Sequence, residues 1–133
     1  MITLHHAIKI SASRHTVYAA LTDINHMAAW HAGKVEGEIA PGKVLTLRPK
    51  PETRFSWRTD QLETDALIVQ TSQEETDSHA GKTLTFTLSD LDDGRTLVEL
   101  THGEWAENDP HLPFCNTYWG EVLFHLKTFA ERA

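Results

Sequence analysis

The stretch PFCNTYWGEVLFHLKTFA, residues 113–130, decides the architecture. Cys115, Trp119, Val122, Leu126 and Phe129 recur at spacings of three and four, which places them on one stripe of an α-helix. Tyr118, Leu123 and Ala130 flank that stripe. Pro113 suits the first turn, where its missing amide proton would have no helical partner anyway. Gly120 costs about 1 kcal/mol relative to alanine in a helix interior, so packing must offset the loss. A helix over residues 113–131 of this kind has to lie against a large apolar surface. Phe124 sits opposite the stripe and is expected to face outward, offering a contact for a homodimer.

The surface is read upstream. Residues 82–90 and 95–104 form a hairpin joined through Asp92-Asp93-Gly94. Within it Leu84, Phe86 and Leu88 alternate with Thr83, Thr85 and Thr87, and Val98, Leu100 and His102 alternate with Glu99 and Thr101. One face is dry and the other wet. Residues 34–39 and 43–48 flank the turn Ala40-Pro41-Gly42, residues 54–62 put Phe55 and Trp57 on one face, and residues 66–74 centre on Leu67-Ile68-Val69. The first strand, residues 2–10, carries Ile2, Leu4, His6, Ile8 and Ile10 on its inner side. Between it and the rest lie two short helices. Ser13 caps one bearing Val17, Leu21 and Ile24, and the second covers residues 24–31 and ends near Gly33. The expected fold class is α+β: a curved antiparallel sheet of about seven strands wrapped around the long C-terminal helix, the only element large enough to cover the dry face.

Composition narrows the function. One domain over residues 1–133 fits the length. Hydrophobic residues make up 40% and charged residues 23%, the balance of a globular chain. The formal charge of −7 repels phosphate backbones and anionic headgroups, so neither nucleic acid nor membrane is expected as a partner. Lys43, Arg48, Lys50, Arg54 and Arg58 are read as a solvated hairpin edge. No stretch approaches the roughly 20 apolar residues of a membrane span. The N-terminus carries no secretory pattern, and Cys115 is the single cysteine; both point to the cytoplasm.

Several segments resemble a known family. Residues 12–23, Ala12-Ser13-Arg14-His15-Thr16-Val17-Tyr18-Ala19-Ala20-Leu21-Thr22-Asp23, are similar to the opening motif of the activator-of-heat-shock-protein-ATPase-like family. Met27-Ala28-Ala29-Trp30 resembles its next helix. Residues 96–102, Thr-Leu-Val-Glu-Leu-Thr-His, resemble its last strand, and residues 119–127 its closing helix. The middle strands match only as a generic β pattern. The resemblance implies the helix-grip fold shared with START-type lipid-transfer domains, polyketide cyclases and the birch-pollen allergen, in which sheet and helix hold a cavity. That fold serves carriers, enzymes and protein-binding modules alike. The eukaryotic co-chaperone behind the family name has an additional N-terminal domain with no counterpart in these 133 residues. The co-chaperone role is therefore not carried over.

Polar and aromatic residues on the dry face mark the expected cavity: His6, Trp57, Thr59, Gln70, Phe86, His102, Tyr118 and Val122. A buried imidazole without a partner costs roughly 2 kcal/mol or more, so His6 and His102 each need a hydrogen bond, a water or a ligand. The bland reading is a core histidine satisfied by Tyr118, Glu104 or a backbone carbonyl. Trp57, Phe86 and Tyr118 serve equally as core or as cavity lining. The nine histidines show no zinc-type spacing, and the glycines are spread singly, so neither a metal nor another cofactor is expected. No Gly-x-Ser-x-Gly is present, and no catalytic residue is assigned. The leading expectation is binding of a small, largely apolar molecule without chemistry. The alternatives are a cyclase- or hydrolase-type enzyme using His102 or His6 as proton carrier, and a module that binds a chaperone or regulator.

Overall fold

Alternation of apolar and polar side chains is realised as seven strands in one antiparallel sheet. The computed structural model describes residues 1–74 and 80–133. Strand β1 (Ile2–Ile10) is followed by α1 (Arg14–Thr22) and α2 (Ile24–Trp30). Then come β2 (Lys34–Gly37), β3 (Val44–Lys50), β4 (Thr53–Glu63), β5 (Leu67–Ser72), β6 (Thr83–Asp90) and β7 (Thr96–Trp105), and α3 (Leu112–Ala130) closes the chain. The spatial order is β1-β7-β6-β5-β4-β3-β2. Strands β2 to β7 form a meander in which each pairs with its neighbour in sequence, while β1 crosses back to pair with β7. This is the helix-grip arrangement expected from the residue pattern.

Local chemistry explains the boundaries. Ser13 caps α1 by accepting a hydrogen bond from the Thr16 amide at 3.1 Å. Asp23 ends α1 and starts α2, its carboxylate accepting from the amides of Asn25 and His26 at 2.8 and 3.2 Å. Gly33 leaves α2 with φ +76°, and a Cβ there would stand 1.9 Å from the Arg48 carbonyl oxygen, so a side chain has no room. Register shifts between Leu47 and Lys50 and between Thr59 and Gln61 bend the sheet around its dry face.

Helix α3 lies in that concavity. Cys115, Trp119, Val122, Leu123, Leu126 and Ala130 are buried against Leu4, Ile10, Trp57, Phe86, Leu100 and Trp105 of the sheet. Phe124 is 61% exposed on the opposite side, as its helical position requires, and Phe114 is 75% exposed. The far end of the helix is tied to β1 by two hydrogen bonds. Lys127 Nζ donates to the Lys9 carbonyl at 3.0 Å, and the Ser11 amide donates to the Glu131 carboxylate at 2.8 Å. Among the described residues no helix is long and apolar enough to cross a membrane.

Candidate functional site: the cavity between sheet and long helix

Between the sheet and the three helices is a gap of about 30 Å3, room for one or two waters. The wall is mostly hydrocarbon: Leu45 and Leu47 of β3, Leu84 and Phe86 of β6, Met27 and Trp30 of α2, Trp119 and Val122 of α3. Sheet residues reach it because the dry face of each strand points inward; helix residues reach it from the apolar stripe. Trp57, Gln70, Phe86, Tyr118 and Val122, all expected from the sequence, lie on this wall.

The polar content of the wall is small and specific. Gln70, 4% exposed, places a carboxamide on the wall. Thr59, also expected at the cavity, pairs with it across the strands on β4 but is fully buried and not part of the wall; its Oγ1 lacks a hydrogen-bond partner among the described residues. The other polar feature of the wall is a pair. His31, the residue that ends α2, shares a hydrogen bond of 3.1 Å between Nε2 and the Tyr118 hydroxyl. Its Nδ1 lies 2.8 Å from the Ala32 carbonyl, which can only accept, so Nδ1 carries the proton and Tyr118 donates to Nε2. Burial pushes the His31 pKa down, partly opposed by the Ala32 bond, with His125 adding a further push downward. Burial also drives the Tyr118 hydroxyl well above the ordinary tyrosine range, with Cys115 adding to the rise. Both groups are therefore neutral at pH 7.

The two histidines expected at the cavity do not line it. His6 stands at the side of α3, where Nε2 lies 2.9 Å from the Asn116 side-chain oxygen, and it does not line the cavity. His102 is fully buried behind the wall. Its Nδ1 accepts from the Trp119 indole at 2.9 Å, and its ring packs edge-on among Trp57, Trp105 and Trp119 at centroid distances of 5.5, 5.2 and 5.3 Å. An indole N–H can only donate, so Nδ1 is unprotonated and the proton sits on Nε2. Trp119 thus takes the place that sequence reasoning offered to Tyr118, Glu104 or a carbonyl. The sequence gives no signal for His31, because a residue just past a helix end belongs to no periodic pattern. Among the described residues, which exclude His79, no three His, Cys, Asp or Glu side chains gather closely enough to hold a metal.

Comparison with known proteins bears on the fold and the family. The chain is similar to the Aha1 dimer from Colwellia psychrerythraea, at 25% identity and a TM-score of 0.91, over 98% of this chain and 97% of that one. Protein MLL2253 from Mesorhizobium loti is 15% identical with a TM-score of 0.85, over 99% of this chain and 98% of that one. CalU16 from Micromonospora echinospora is 21% identical with a TM-score of 0.79, over 96% of this chain and 75% of that one. No curated protein matches the chain. The model of the activator of Hsp90 ATPase homolog 1-like proteins matches residues 11–131, which is nearly the whole sheet together with all three helices. The chain belongs to that family.

Proposed function

We propose that this domain binds a small, largely apolar molecule between the sheet and α3. The observation that carries the reading is Gln70, a carboxamide side chain only 4% exposed among the largely apolar residues that line the gap. A core built only for stability gains little from a carboxamide there, because a buried amide left without a partner costs about 1–3 kcal/mol. A ligand with a polar end offers it a partner. The gap of about 30 Å3 is smaller than such a ligand, so entry displaces part of the wall. Met27 on the short α2 is an unbranched side chain suited to that movement. The single, buried Cys115 fits a reducing, cytoplasmic setting.

The enzyme reading draws less support, since His102 lies behind the wall with no exposed surface and His6 lies off the cavity. A second use of the molecule is favoured by the outer face of α3. Phe114 and Phe124 are both exposed there, and the similar Colwellia protein is described as a dimer, so a homodimer through this face is the partner we propose.

Native mass spectrometry of protein taken from its own cells tests the binding reading. A carried molecule of a few hundred daltons that is lost on denaturation is the expected result. Bare protein mass, together with no uptake of an apolar fluorescent probe at millimolar concentration, would overturn it.

A further inference from the structure

We infer that the cavity selects an uncharged ligand, an apolar molecule bearing one neutral hydrogen-bonding group such as an amide, ketone or alcohol seated on Gln70, and rejects ionised carboxylates. This rests on the binding reading above and names the chemistry of its ligand. None of the described residues on the wall is Asp, Glu, Lys or Arg. A carboxylate brought inside would lose its water and meet no counter-charge, which is the most costly way to bury a polar group. The titratable side chains on the wall, His31 and Tyr118, supply no charge in compensation: burial holds the first as neutral imidazole and the second as neutral phenol. They also bond to one another, and Gln70 stands on the same wall as a neutral polar side chain.

The carboxamide of Gln70 offers a donor and an acceptor together, so it can match an amide, a carbonyl or a hydroxyl. Thr59, paired with Gln70 across the strands, adds a hydroxyl whose Oγ1 has no hydrogen-bond partner among the described residues. A neutral group on an apolar wall, with another behind it, recognises dipoles and not charges. The outside of the protein acts in the same direction, because a formal charge of −7 disfavours the approach of anions before any contact is made.

Octanamide and octanoate form a probe pair of nearly equal shape that differ in head-group charge. Titration calorimetry at pH 7 with the full-length protein is expected to give octanamide a Kd at least tenfold lower than octanoate. Gln70→Leu should reduce octanamide affinity about tenfold and leave octanoate unchanged, with a thermal melt confirming that the variant is folded. Thr59→Val, which keeps the side-chain shape, should narrow the preference in the same direction and serves if Gln70→Leu does not fold. Equal affinities, a preference for octanoate, or a folded Gln70→Leu protein that binds octanamide like the wild type would each overturn the inference while leaving cavity binding intact. Binding of neither probe would overturn the binding reading itself, and the inference with it.

Discussion

Trp119 donates its indole N–H to Nδ1 of His102 across 2.9 Å, joining the long helix to the last strand inside a cluster of three tryptophans. Both side chains are buried, so neither can replace the bond with water if the other is removed. His102→Phe keeps the ring and strands the indole. The expected loss is about 1–3 kcal/mol in chemical denaturation, and it should shrink in a Trp119→Phe background because the orphaned donor is gone. Additive losses in that double-mutant cycle would show that the hydrogen bond contributes nothing to stability.

Protonation of His31 should couple stability to pH. Its pKa is lowered in the folded protein, so the unfolded chain binds a proton at a higher pH than the native one does. Stability from this group is complete above the unfolded value of about 6.5 and is lost as pH falls from there toward the lower folded value. His31→Gln should flatten the denaturation midpoint over that window relative to wild type. An unchanged slope would mean that His31 titrates normally in the native state.

Phe124→Glu tests the outer face of α3. An exposed side chain contributes little to folding, so stability should change by no more than about 0.5 kcal/mol. Sedimentation velocity should show the wild type as a dimer and the variant as a monomer. A profile that does not respond removes Phe124 from the interface.

Asp23 serves the end of one helix and the start of the next, so its loss should be felt by both. Asp23→Ala should cost about 0.5–2 kcal/mol, and Asp23→Asn or Asp23→Ser should restore most of it because either side chain can accept the same amide bonds. Leu126→Ala, at a fully buried point of the helix stripe, should cost more, about 2–5 kcal/mol. If the two alanine variants melt alike, the short helices matter more to the core than their length suggests.

The fold was legible because its elements obey strong periodicities. The stripe from Cys115 to Phe129 and the alternation of leucine with threonine around Phe86 allow one reading each. The cavity was legible only as a surface. Trp57, Gln70 and Phe86 follow from inward parity along their strands, Tyr118 and Val122 from the helix stripe, and all five line the gap. Parity says which way a side chain points and nothing about how far across the core it reaches. His102 points inward as expected yet ends behind the wall, because Trp119 comes down to meet it. His6 also lies on the inner side of its strand, but β1 is the edge of the sheet and α3 offers it Asn116 there. The size of the gap depends on packing among distant segments and has no local signature.

The return of β1 to β7 has a consequence for synthesis. His5 and Glu99, close across that pair of strands, are 94 positions apart, whereas every other strand meets its sequence neighbour. Closing so long a loop adds little more cost than closing half of it, about 0.6 kcal/mol for each doubling, but it cannot begin until the second partner exists. On a ribosome, β2 to β6 can assemble in the order they emerge, while β1 waits for β7. The dry face then waits longer still, since its cover is the last element made. A nascent chain therefore carries an open apolar sheet until α3 emerges, and that interval is when it most needs a chaperone.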